Sequence, residues 1–354
     1  MTSQPPRANR REHVGGHQAA ASACVFGPDV VLAGAGLTCA GAVVLGTDRE
    51  VAAVDEFSIP VDGGDLRAIR WGDSGPVVLA LHGITANALA WSSVADALDG
   101  TVTLVAPDLR GRARSNRLPE PYGLAQHARD AVAVLDFLGV DQCALAGHSM
   151  GAFVAALAGT MFPDRFAEVV LVDGGVTLAV PDPGADIDAI LEAVIGPAMA
   201  RLRMTFASAA AYLDFWRPHP AFAESWSPAL ERYLLRDLQG SAPDLRSSCV
   251  LDAIRADGSD TLVNADVTSA VTRLTQPTTL LWARRGMVDD TPGLYTDERL
   301  AALGVAAPPL TVQPAIDANH YTILLDSGPA TVVADAISSA VRRIEPDAAN
   351  TVSR

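Results

Sequence analysis

The chain has 354 residues, 49% of them hydrophobic and 19% charged, the balance of a globular protein that can bury a sizeable core. Its formal charge of −15 at pH 7 excludes an electrostatic grip on nucleic acid or anionic lipid, both of which need clustered Lys and Arg, and points to a small-molecule partner. Cys24, Cys39, Cys143 and Cys249 are too widely spaced for zinc sites or a small disulfide framework, so a reducing, cytoplasmic setting with no metal is expected.

The first fifty residues stand apart. Residues 1–20 are polar and basic, and 30–46 form an uncharged apolar run rich in Gly and Ala, edged by Asp29 and Asp48. That run falls short of the ~20 residues of a spanning helix. The basic cluster Arg7, Arg10 and Arg11 lies too far from it for a signal peptide. Residues 1–52 are expected to be a disordered extension, with a membrane or export element and an ordered addition as the alternatives.

From about Glu56 strand-like and helix-like segments alternate. Short apolar runs recur at Val77–Leu81, Val102–Ala106, Cys143–Ala146, Val169–Val172, Thr278–Trp282 and Leu310–Val312, as strands buried on both faces should read. Between them, Gly123–Leu138 places Leu124, Ala128, Ala131, Leu135 and Leu138 on one helical face. This alternation predicts an α/β fold with a mostly parallel central sheet and helices on both faces. Between the runs near 172 and 278, about a hundred residues lack a convincing strand, too long for a structureless loop in a compact domain. Residues 180–273 are therefore expected to form a helical cap inserted into a core of 53–179 and 274–345, with 346–354 a tail. The insertion carries Phe206, Tyr212, Phe215, Trp216, Phe222, Trp226 and Tyr233, which either build its own core or line an apolar substrate pocket.

Gly147-His148-Ser149-Met150-Gly151 fits G-x-S-x-G between the run CALA and the helix-like AFVAALAG. That context, strand then sharp turn then helix, is what a nucleophile elbow requires. The glycines answer the tightness of the turn, and a helix N-terminus beside Ser149 favours a developing oxyanion.

Leu81-His82-Gly83, Ala106-Pro107-Asp108-Leu109-Arg110-Gly111 and the GHSMG elbow stand in the order typical of α/β-hydrolases, and the chain resembles that superfamily from about Glu56 to Arg343. The resemblance implies an oxyanion hole made of the backbone N–H groups of Ile84 and Met150. It makes His82 a loop-shaping residue and leaves His148 at a variable position. The base follows the nucleophile in such chains, and only His219 and His320 lie beyond Ser149. His219 falls in the expected cap, whereas His320 follows the last strand-like run, so His320 is the expected base. The acid of many relatives follows the penultimate strand in a Trp-Gly-x-x-Asp pattern, but here Gly286 takes that place. Asp289 is the expected acid, by similarity to a bacterial subgroup with a longer loop, with Asp290 and Asp173 as alternatives.

These residues imply a serine hydrolase of carboxylesterase, lactonase or carbon–carbon hydrolase type, acting without cofactor on an apolar small molecule through an acyl-enzyme. The rival readings are an idle binding protein on the same fold and a cofactor-free haloperoxidase or acyltransferase.

Overall fold

Uninterrupted apolar runs need cover on both faces, and the six runs named above find it as inner strands and one edge of a single sheet. The computed structural model describes residues 54–178, 184–304 and 309–344, so the N-terminal extension with its apolar run and the 346–354 tail lie outside the described residues. The strands are β1 (Val54–Val61), β2 (Gly64–Trp71), β3 (Val77–Leu81), β4 (Thr103–Pro107), β5 (Cys143–His148), β6 (Phe166–Val172), β7 (Leu238–Gln239), β8 (Arg246–Ser247), β9 (Thr278–Leu281) and β10 (Leu310–Val312). Eight form one sheet in the order β1-β2-β4-β3-β5-β6-β9-β10. β2 pairs antiparallel with β1 and β4, and the remaining pairings are parallel.

The helices are α1 (Ser92–Leu98), α2 (Leu124–Leu138), α3 (Met150–Met161), α4 (Ile187–Ile195), α5 (Pro197–Ala200), α6 (Ala209–Trp216), α7 (Pro228–Arg236), α8 (Leu251–Val263), α9 (Ala265–Thr268), α10 (Asp297–Ala302), α11 (Thr322–Leu325) and α12 (Ser327–Ile344). The two-residue period of a strand sends alternate side chains to opposite faces. Val78, Ala80, Val170 and Val172 join one core with Val94 of α1 and Ile337 of α12. Leu79, Leu81, Val169 and Leu171 join the other with Leu135 of α2 and Phe153 of α3. The helix α2 buries the face its spacing predicts and stops at Gly139, whose φ of 66° is the left-handed cap that glycine adopts without strain. None of the helices in the described residues is long and apolar enough to cross a membrane.

Helices α4 to α9 occupy the interval between β6 and β9, as the missing strand pattern there predicts. The short antiparallel pair β7–β8 inside it was not expected: two residues per strand are too few to leave a periodic pattern. Ionic contacts tie this insertion to the sheet. Asp108, fully buried just past β4, accepts from Arg236 of α7 at 2.7 Å and from the Ala88 and Arg114 backbone N–H groups. Removing one partner of a buried pair strands the other charge, which costs ~3–5 kcal/mol. Arg236→Ala should therefore lower the unfolding free energy by about that amount in urea titrations, and a loss under ~1 kcal/mol would show that Asp108 is satisfied without it.

Candidate active site

The strand β5 runs straight into α3, and Ser149 sits at the turn between them with φ 55° and ψ −124°, in the left-handed half of the map where non-glycine residues are strained. The glycines make the turn possible. A Cβ on Gly147 would stand 2.1 Å from the Gly151 carbonyl oxygen, and one on Gly151 would stand 2.2 Å from that of Leu81. Met150 opens α3, where a backbone N–H has no acceptor within the helix.

His320 is buried on the turn just before α11, and its Nδ1 donates to Asp173 Oδ2 at 2.6 Å. Asp173 follows β6 directly, is fully buried, and its other oxygen accepts from the Ala283 N–H at 3.0 Å. A carboxylate held from both sides in this way keeps the proton of His320 on Nδ1, leaving Nε2 as the ring acceptor. Ser149 and His320 border the same apolar cavity, and Ile84, Met150 and Ser149 border a second one beside it.

The carboxylate that meets His320 is thus not the expected one. Asp289 is exposed on the loop after β9, where it accepts from Arg285 at 2.7 Å and from Asn319 Nδ2 at 3.1 Å, while the carboxylate bonded to His320 is that of Asp173. The loop is held by charges of its own, Arg285 bonding both Asp289 and Asp317, so Asp289 is spent on shaping it. Asp290 is also exposed, and no helix follows it directly; the next, α10, is capped by Thr296. The alternative, Asp173, is the carboxylate on the imidazole.

His82 is structural, as its place in the loop implies. Its Nδ1 donates to the Gly83 carbonyl at 2.8 Å, and its Nε2 accepts from the Leu109 N–H at 2.8 Å, a pattern only the neutral ring can make. Burial pushes its pKa down to about 3. Since the unfolded chain takes this proton near pH 6.5, the stability His82 confers is present above that value and is lost as the pH falls toward 3. Between pH 7 and 4.5 that amounts to up to about 2–3 kcal/mol. His82→Gln should flatten this part of the stability–pH curve, and equal slopes in urea melts of both proteins would contradict the reading.

His148 donates from Nε2 to the His320 carbonyl at 2.8 Å, with the two rings 4.7 Å apart, so it braces the loop that carries His320. A residue that sequence reasoning passed over is Arg112. Fully buried, it donates to the Ile84 carbonyl at 2.9 Å and points Nη2 at the Met150 sulfur, 3.7 Å away, while pairing with Asp257 of α8. His127 donates to the same carboxylate, whose pKa is held well below the ordinary range against its burial by Arg112 and His127. One guanidinium thus touches both segments that carry the backbone N–H groups named above. The signal lay in the buried position of an Arg two residues past Arg110 in the PDLRG loop, which a linear motif does not reveal.

The aromatics of the insertion mostly serve its own core. Phe206, Phe215, Tyr212, Trp216 and Phe222 meet edge to face or tilted at 4.9–5.8 Å. Of the seven, Tyr233 alone borders the cavity that holds Ser149 and His320.

Residues 76–323, well over half of the chain, match the sequence model of the alpha/beta hydrolase fold family. The chain belongs to the α/β-hydrolase fold family. An uncharacterized protein of Mycobacterium tuberculosis is 36% identical to this hydrolase-fold chain over 115 residues, 32% of the chain and 34% of that protein. Lipase LipV of Mycobacterium tuberculosis is 34% identical over 140 residues, 39% of this chain and 53% of the lipase. The chain thus spans about a third to a half of the length of these curated relatives. The crystal structure of E-2-(acetamidomethylene)succinate hydrolase superposes with a TM-score of 0.66 over 82% of this chain and 99% of that one, at 21% identity, a likeness of fold.

Proposed function

We propose that this α/β-hydrolase-fold chain is a serine hydrolase that cleaves an ester-like small molecule through an acyl-enzyme. In this reading Ser149 is the nucleophile, His320 the general base and then acid, and Asp173 the carboxylate that orients the imidazole. The backbone N–H groups of Ile84 and Met150 receive the oxyanion. The observation that carries the reading is the 2.6 Å contact from His320 Nδ1 to the buried Asp173, made beside a strained Ser149 at the head of α3. It supports the tautomer in which Nε2 is free to take the serine proton.

The chemistry follows from those roles. The Ser149 hydroxyl attacks the ester carbonyl as His320 Nε2 takes its proton, and the tetrahedral oxyanion is met by fixed dipoles that need no reorganisation. Collapse expels the alcohol, which takes the proton back from His320. Water, deprotonated by the same nitrogen, then attacks the acyl-enzyme; collapse breaks the bond to Ser149 Oγ, which takes the proton back from His320 as the acid leaves. The mostly apolar lining of the cavity that holds Ser149 and His320 suits an ester-like group, and Lipase LipV, matched over part of the chain, carries a name of the same class. The test is a burst experiment with p-nitrophenyl acetate, together with mass-spectrometric mapping of a fluorophosphonate adduct. A burst of about one equivalent and an adduct on Ser149 are expected. A protein that yields neither is not a serine hydrolase.

A further inference from the structure

Three cavities meet near Ser149. One, of about 40 Å³, runs from Ser149 along Ala90, Tyr233 and Leu324. A second, of about 30 Å³, runs from the same serine along Phe153, Leu191 and Leu262. The third is larger, about 230 Å³, and lies between the end of α4 and the loop after β9, beside His219, Val288 and Asp290, without reaching Ser149. Two side chains border all three: Ile195, the last residue of α4, and Met287 of the loop after β9. A residue that borders three spaces at once is the wall between them.

We propose that Ile195 and Met287 form a partition between an outer vestibule and two short apolar compartments that flank Ser149, so that the acyl and alcohol arms of the substrate are each held to at most about three carbons. The proposal rests on the hydrolase reading for the word acyl, but the partition itself is a matter of shape. A water-sized group needs at least about 10–15 Å³ of such space and takes about 30 Å³ in the liquid, so each inner compartment holds one to three such groups, and the vestibule many more. Both inner linings are mostly apolar, so each arm gains affinity by leaving water until its compartment is full. The two wall residues come from different parts of the chain, one from the insertion and one from the sheet's own loop. The sequence of either segment therefore resets the length limit without touching Ser149, His320 or Asp173.

The test uses the Ser149→Ala protein, so that binding is read without turnover, and two probe series: ethyl esters from acetate to octanoate, and acetate esters from ethyl to octyl. Calorimetric affinity should rise ~fourfold per methylene for the first two or three carbons of each arm and then level off. Adding Met287→Ala should carry the rise to six or more carbons by opening the compartments into the vestibule, while Met287→Trp should bring the plateau earlier. Ile195→Ala gives a second way to open the wall if the Met287 variants unfold on melting. An affinity that climbs through eight carbons in the Ser149→Ala parent, or a plateau that neither opening variant moves, overturns the partition. Fluorophosphonate labelling of the unaltered protein reads the nucleophile independently. Labelling lost with the plateau intact removes the hydrolase reading and leaves the partition standing.

Discussion

Asp173→Asn should lower kcat by about 10⁴-fold with little change in KM or in stability, the size of effect seen when such a carboxylate is lost. The reason is the tautomer. The asparagine oxygen would keep the bond from the Ala283 N–H, which turns its NH₂ toward His320 Nδ1 where the Asp173 oxygen now stands at 2.6 Å. Two donors cannot face each other, so the imidazole proton moves to Nε2, and the nitrogen that should accept the serine proton is occupied. The backbone does not object, since Asp173 has φ 44° and asparagine tolerates that region as well as aspartate does. Asp289→Asn is the control. Asp289 also has positive φ, so the change is isosteric and unstrained, and it alters only an exposed bond to Arg285 and the one from Asn319. Its kcat should stay within about threefold of the parent, the range of a perturbed exposed pair. Steady-state kinetics on a p-nitrophenyl ester decides the matter. A severe Asp289→Asn beside an active Asp173→Asn would return the acid to the longer loop.

Ser149→Ala should be more damaging still, on the order of 10⁶-fold in kcat, because no other group can form the acyl-enzyme. Its fold should survive, since the strain at φ 55° belongs to the backbone and is the same for serine and alanine. That argument has a second arm. Ser149→Gly should be equally inactive yet more stable than the alanine variant by about 1 kcal/mol, because glycine takes this conformation without strain. Burst kinetics and urea titration of the two variants measure both effects. Residual turnover above about 1% of the parent would name a different nucleophile, and equal stability would mean that the turn is relaxed.

The inner strands were readable because burial on both faces removes polar alternation, leaving runs such as VVLAL that few other structures produce. The first hairpin was not read. β1 is half exposed and carries Pro60, so it looks like linker, yet the Asp62-Gly63 pair between Val61 and Gly64 is a strong tight-turn signal and would have found it. In the proposed site, Ser149 and His320 could be named from the sequence because each follows a strand signal at the place the family resemblance gives it. The carboxylate that meets His320 could not, because distance along the chain says nothing about which strand lies next to which. Asp173 leaves β6, which neighbours β5 in the sheet, and so emerges beside Ser149; Asp289 leaves a strand further out and ends on the surface. Arg112 and the Ile195–Met287 wall were invisible for the same reason, being made by side chains that only the folded chain brings together.

The pairing of Arg112 with Asp257 bears on how far the inserted helices can be exchanged. A set of helices inserted between two strands of a sheet would be expected to behave as a detachable module. Here one of its helices, α8, supplies the counter-ion to the guanidinium that holds the Ile84 carbonyl and faces the Met150 sulfur. A graft that brought new helices without a carboxylate at the position of Asp257 would leave that guanidinium buried and unbalanced, and its cheapest relief would be to swing away from Ile84. The insertion is thus tied to the loops beside Ser149 through one buried carboxylate that borders none of the cavities described, and any replacement has to supply that charge again.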